Sequence, residues 1–302
     1  MRTSEYQWYR PDFYEYNVVQ SSVIPFCDSD NNMVVSFAVA TGKTVIAECC
    51  FGYHVSAGDK VAYVSPYRSL CMEKFTKWEG DVHFESGGVA MHTGDKRSSH
   101  ALLRGAMLTA TTCESFDSRT RSLKWQSWLR ELRCVVFDEA HTLGDPCRGM
   151  AVEAAMMRLT KCNPDCRLVL LSATMSNAKQ VAEWVKSLNR KLTKCFSSAW
   201  KPNTIRVEQF HVNGRDETVD TVIERAVSDQ GKKTIVFVHS KVLGKELTKR
   251  LRKQGVQTCF HNASVNRKKR QKIEKAFNDP TSGLDLLVST STLGAGVNIG
   301  VE

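Results

Sequence analysis

The sequence predicts an α/β protein of two tandem parallel-sheet domains, residues 1–199 and 204–302, with the second incomplete at its carboxyl end. Short apolar runs alternate with longer amphipathic segments, the pattern of strand–helix–strand units. The alternation breaks at Ser197-Ser198-Ala199-Trp200-Lys201-Pro202-Asn203 and then resumes. Several apolar runs end in glycine, hydroxyl or carboxylate residues, at the strand ends where open parallel sheets bind ligands. A length of 302 residues suits two domains of ~150 residues each.

In the first domain, strands are expected at Met33–Phe37, Lys60–Ser65, Ala106–Ala110, Cys134–Phe137 and Leu168–Leu171. Helices such as Arg68–Lys77 and Val152–Leu159 lie between them. The second domain reads as helix Glu217–Ser228, strand Thr234–Val238, helix Val242–Gln254, strand Val256–Phe260, helix Arg267–Phe277 and strand Leu284–Ser289. The chain stops at Glu302, just after Gly294-Ala295-Gly296-Val297-Asn298, so this domain is expected to lack its last strand and helix.

Lys and Arg total 42 against 32 Asp and Glu, an excess that favours a polyanionic partner without deciding one. The eleven cysteines form no Cys-x-x-Cys pair, which points to reduced thiols rather than a zinc or iron–sulfur site. No apolar stretch approaches the ~18 residues of a membrane span, and the first residues are polar. A soluble intracellular protein is expected, with nucleus and cytoplasm both open.

The chemistry begins at Ala40-Thr41-Gly42-Lys43-Thr44, behind the run Met33-Val34-Val35. Gly42 lets the backbone approach a phosphate, and N–H groups from Thr41 onward can hold its oxygens. Lys43 supplies positive charge, and the Thr44 hydroxyl can ligate Mg²⁺. The first glycine of the usual loop is missing, because position 37 is Phe. Asp138 and Glu139 follow the run Cys134-Val135-Val136-Phe137. Asp138 is the expected Mg²⁺ ligand, and Glu139 the group that orients or deprotonates the attacking water. His141 is expected to connect this site to Ser172-Ala173-Thr174, whose hydroxyls pass a hydrogen-bond change towards the second domain. Gln20, with Tyr16 nearby, lies a helix's length before the loop, where it can contact adenine.

Other strand ends suit a nucleic-acid backbone. Arg68 in Ser65-Pro66-Tyr67-Arg68-Ser69, Thr112 in Thr111-Thr112-Cys113, Ser240 in His239-Ser240-Lys241 and Thr292 in Ser291-Thr292 each present a hydroxyl or a charge there. Singly each is an ordinary capped loop; together they repeat one device. Arg267-Lys268-Lys269-Arg270 adds phosphate affinity if it lies near such a track.

These residues in this order resemble a superfamily 2 helicase, across nearly the whole chain. The finer signature is similar to the DExH group that holds the superkiller-type RNA helicases and the repair helicases. Ala40–Glu48 resembles motif I, Tyr63–Leu70 motif Ia, and Asp138-Glu139-Ala140-His141 motif II, followed by that group's Leu143-Gly144-Asp145…Arg148-Gly149 tail. Trp200-Lys201-Pro202 resembles the interdomain linker. His261-Asn262-Ala263-Ser264 resembles a His-His-Ala-Ser element with one His replaced. Ser291–Asn298 resembles motif V, with Gly296 as a nucleotide contact. The resemblance implies two RecA-like domains, ATP and Mg²⁺ as cofactors, and movement 3′ to 5′ along single-stranded or forked nucleic acid. DNA is favoured over RNA on the motif II tail. The family's motif VI arginine is expected beyond residue 302, together with winged-helix and ratchet domains. The chain as given is therefore expected to bind ATP yet hydrolyse it slowly, since such arginines supply roughly 10³–10⁵ in rate. An RNA helicase of the same group and a hydrolysis-deficient binding module remain as alternatives.

Overall fold

The computed structural model describes residues 1–84, 87–93, 98–202, 206–229, 231–290 and 293. The chain divides into two compact units, Met1–Ile205 and Arg206–Glu302.

The first unit is built on a seven-stranded sheet. Its strands are β1 (Asn32–Phe37), β2 (Lys60–Ser65), β3 (Val89–His92), β4 (Leu108–Thr112), β5 (Leu132–Phe137), β6 (Arg167–Ser172) and β7 (Thr193–Ser198). All pair in parallel, in the order β3-β4-β2-β5-β6-β1-β7. The helices are α1 (Val18–Val23), α2 (Lys43–Ser56), α3 (Arg68–Glu79), α4 (His100–Gly105), α5 (Cys113–Thr120), α6 (Gln126–Glu131), α7 (Gly149–Cys162) and α8 (Ala178–Asn189). Both faces of the sheet are covered, so the inner strands are buried along their length and appear in sequence as continuous apolar runs. Alternate residues feed two cores. Met33, Val35 and Phe37 enter one with Val61 and Tyr63, while Val34 enters the other with Ala62 and Val64.

Two strands, β3 and β7, are not expected from the sequence, and both lie at the edges of the sheet. An edge strand has a neighbour on one side only. The residues of β7 are only partly buried, so no continuous apolar run betrays it. Ser197 and Ser198, expected in a linker, instead close β7 opposite Ser36 and Phe37 of β1. Strand β4 lies two residues later than expected and ends on Thr112.

Arg167, the first residue of β6, is fully buried. Its guanidinium donates to Asn31 O at 2.8 Å, Cys27 O at 2.7 Å and Phe26 O at 2.9 Å. It thereby fixes the connection that enters β1, the strand leading to the Gly42 loop.

The second unit contains α9 (Arg215–Ser228), β8 (Thr234–Phe237), α10 (Lys241–Lys253), β9 (Thr258–His261), α11 (Arg267–Asn278) and β10 (Leu286–Ser289). Its strands pair in parallel in the order β8-β10-β9. Strand β9 starts two residues later than expected, because Val256 packs as a core residue ahead of it. All eleven cysteines are free thiols, and among the described residues no cluster suits a metal ion. No helix of the described residues is long and apolar enough to cross a membrane.

Candidate active site

The carboxyl ends of three adjacent strands, β5, β6 and β1, carry Asp138-Glu139, Ser172-Ala173-Thr174 and the Gly42 loop. Sheet order therefore gathers segments that are far apart in the chain.

Helix α1 holds the loop. Asn17 Oδ1 accepts from Gln20 N at 2.9 Å, and Gln20 Oε1 accepts from Asn17 N at 3.0 Å, a reciprocal cap. The amide nitrogens left over reach the loop, Asn17 Nδ2 to Thr41 O at 3.0 Å and Gln20 Nε2 to Gly42 O at 3.1 Å. Thr41 Oγ1 closes the turn on Ala38 O at 2.8 Å. Gly42 has φ +74°, and a Cβ there would stand 2.4 Å from Gln20 Nε2, so both backbone and space require glycine. Asn17 was not foreseen, although Asn-x-x-Gln ahead of an apolar helix is a legible capping signal. Tyr16, expected beside a base, is instead buried, with its ring edge-on to Phe13 and its hydroxyl 3.7 Å from Cys49 Sγ.

Ala40 is exposed and has φ +63°, a conformation that costs an L-residue roughly 1–2 kcal/mol. Ala40→Gly is accordingly expected to stabilise the first unit by about 0.5–1 kcal/mol, after allowing for the freer unfolded chain. A higher urea midpoint checks this. A lower one would mean that the alanine methyl makes contacts worth more than its strain.

Lys43 and Thr44 lie in the first turn of α2, where unpaired helix N–H groups favour an anion. Lys43 Nζ donates to Ala38 O at 3.0 Å and Phe37 O at 3.2 Å. Burial lowers its pKa, and the nearby Glu139 and Asp138 carboxylates oppose that shift. Asp138 is buried; its Oδ1 accepts from Glu139 N at 2.8 Å and its Oδ2 from Tyr63 OH at 2.5 Å. Tyr63 opens the segment that resembles motif Ia, but nothing in the sequence marks it as the partner of Asp138. Glu139 is a left-handed non-glycine residue at φ 53°. Burial and the Asp138 charge raise its pKa, while His141 and Lys43 pull it down. His141 Nδ1 stands 3.3 Å from Glu139 Oε2.

Among the described residues His141 makes no hydrogen bond to Ser172 or Thr174. The Ser-Ala-Thr segment is tied instead to β1, since Ser36 Oγ accepts from Met175 N at 2.7 Å and donates to Ala173 O at 3.4 Å. Ser172 is fully buried with its hydroxyl unpaired, and Thr174 is exposed. Ser36 thus holds the backbone on either side of Thr174.

Arg68 and Thr112 stand at the carboxyl ends of neighbouring strands, β2 and β4. Arg68 opens α3 and is exposed; Thr112 is largely buried and caps α5 through Ser115 N. The Arg148 guanidinium lies over the Tyr67 ring at 5.6 Å, which joins the tail after Glu139 to the segment carrying Arg68. In the second unit Ser240 caps α10, and Lys241 Nζ meets Ser264 Oγ at 2.7 Å. His261 is buried against Glu274, at 2.9 Å. Thr292 and Gly296 lie outside the described residues.

The chain is 28% identical to the "ATP-dependent DNA helicase Hel308" of Thermoplasma volcanium, over 89% of this chain and 43% of that protein. It is also 28% identical to the Hel308 of Pyrococcus horikoshii, over 88% and 41% respectively. The chain thus spans about two fifths of the length of these relatives. The structure of the "DUF1998 helicase MrfA bound to DNA and AMPPNP" shares the fold, with a TM-score of 0.76 at 19% identity over 96% of this chain and 43% of that one. Residues 215–302 match the helicase conserved C-terminal domain, and residues 17–181, more than half of the chain, match the DEAD/DEAH box helicases. By that match the chain belongs to the DEAD/DEAH box helicase family, in the superfamily 2 group that its motifs resemble.

Proposed function

We propose that this chain forms the motor of an ATP-driven DNA helicase that moves 3′ to 5′ along one strand. The observation that supports this best is the meeting of Lys43, Asp138 and Glu139 at the ends of β1 and β5. Lys43 binds the β- and γ-phosphates, exchanging two neutral carbonyl acceptors for charged oxygens. Glu139 takes the proton of the attacking water, a task suited to a carboxylate held above its usual range. Asp138 and Thr44 fit Mg²⁺, because an oxygen donor set is what this ion takes and each Asp138 oxygen has capacity beyond its one hydrogen bond. The ion would neutralise charge on the phosphates. Gln20 and Thr41 complete the nucleotide contacts of the first unit, and Gly296 is assigned a nucleotide contact by its motif alone. Ser172 and Thr174 couple the site onward through Ser36, and the unpaired Ser172 hydroxyl has a hydrogen bond still to make. In the first unit Arg68 and Thr112 form a strand-end track for the phosphate backbone, and Ser240 and Thr292 are assigned the same role in the second. DNA is the preferred substrate because the Hel308 relatives are DNA helicases and MrfA is seen with DNA.

The test is binding of fluorescent single-stranded DNA and RNA across a salt series, with ATP turnover followed in parallel. Affinity is expected to fall with a slope of ~0.7 per phosphate contact, with little dependence on base sequence. A flat salt response, or tighter binding to RNA than to DNA, would overturn the substrate assignment. Tailed duplexes of both polarities test the direction.

A further inference from the structure

The positive charge of this chain is concentrated in the second unit. Residues 241–275 hold twelve Lys and Arg against Glu246 and Glu274, an excess equal to the whole chain's net charge of +10. Within the second unit, α10 and α11 flank a groove of about 600 Å³ lined by Lys245, Lys249, Arg252, Lys253 and Lys269, with Phe260 on its floor.

These cations differ in their commitments. Arg252 donates through Nε and Nη2 to Thr258 O at 3.0 and 2.8 Å. Arg250, on another face of α10, is balanced by Asp216, Asp220 and Glu246 at 3.8, 3.3 and 3.0 Å. By contrast Lys245, Lys249, Lys253 and Lys269 are exposed, and none of them forms an ion pair among the described residues. Lys241, Lys245, Lys249 and Lys253 follow one another at i,i+4, a spacing at which like charges repel within a helix. Such a stripe gains from an external run of negative charge. The helix is also fixed in place over the floor, because a Cβ at Gly244 would stand 2.4 Å from the Phe260 ring.

We propose that the α10–α11 groove binds the phosphate backbone of a nucleic-acid strand, at a site separate from the strand-end track. This rests on the nucleic-acid reading above. Ammonium groups meet phosphates as point charges, and the lysines spaced at four residues along α10 offer a repeated charge to a repeated phosphate. Its apolar floor gives a base or sugar a surface to lie on. Thr248 is buried, with its hydroxyl donating to Gly244 O at 2.7 Å, so the groove presents ammonium groups and binding is expected to be indifferent to sequence.

The test compares two double variants of the 302-residue chain, without nucleotide. Lys245→Glu with Lys249→Glu reverses the groove; Lys161→Glu with Lys186→Glu, on exposed positions of the first unit, makes the same change in net charge. The groove variant places Glu four residues from both Lys241 and Lys253, so its helix is expected to melt no earlier than the parent's. Its affinity for single-stranded DNA is expected to fall ~tenfold further than the control's, with a salt slope shallower by ~1.4. Equal weakening in the two variants, or none in the groove variant, overturns the proposal. So does displacement of DNA by poly-glutamate as effective as that by unlabelled DNA, which would assign the groove to an acidic protein. A parent chain that binds no DNA sinks the substrate reading itself. A parent that binds while the groove variant binds equally well sinks the groove alone.

Discussion

Glu139→Gln is expected to lower single-turnover ATP hydrolysis by ~10²–10⁴ while nucleotide affinity stays within a few-fold of the parent. The amide keeps the size of the side chain and its place beside His141, but it cannot accept the water's proton. Removing a carboxylate also removes like charge from the neighbourhood of the phosphates, so the variant is expected to hold ATP at least as well. Lys43→Ala separates the two functions in the opposite way. Its ammonium touches phosphate before any bond breaks, so affinity and hydrolysis fall together. Its present acceptors, Phe37 O and Ala38 O, lie at the loop's edge, so the loop survives the change. Isothermal titration with AMPPNP and a rapid-quench time course measure both quantities. Equal losses of affinity in the two variants would refute this division of labour.

Arg167→Met is expected to destabilise the first unit by about 3–5 kcal/mol, enough to unfold much of the population at 37 °C. Met fills most of the space of the arginine stem but withdraws three donors from Phe26 O, Cys27 O and Asn31 O. The Cys27 carbonyl is buried and the other two are partly buried, and each buried acceptor left unpaired costs ~1–3 kcal/mol. Relief from burying a cation offsets part of this loss. Arg167→Lys is expected to recover only a fraction, because one ammonium cannot span three carbonyls as the guanidinium fork does. Chemical denaturation gives the size of the effect, and a change below ~1 kcal/mol would show that the connection before β1 is held by other contacts. Because that connection feeds the Gly42 loop, nucleotide affinity is expected to fall along with stability.

The α/β class was legible because strands buried on both faces are written as unbroken apolar runs, such as Val34-Val35 and Leu168-Val169-Leu170-Leu171. The order of the motifs was legible for a related reason, since each depends on a few consecutive residues around a strand end. Membership of the helicase family followed from that order. The edge strand β7 was not legible because a partly exposed strand needs no apolar run, and β3 was missed because it is only four residues long.

Sequence by itself therefore determined which local pieces this protein has: a glycine loop, an acidic pair and a hydroxyl segment, each behind a strand. Only the tertiary structure decided that β6 lies between β5 and β1, which brings Lys43 within electrostatic reach of Glu139. It alone revealed that Tyr63 holds Asp138, that Ser36 holds the backbone of the Ser-Ala-Thr segment, and that four lysines of α10 and α11 face one groove. The physical reason is range. A turn, a cap or a buried run is stabilised by neighbours in sequence, whereas strand order, burial and the field at a carboxylate are set by residues the chain brings together only on folding.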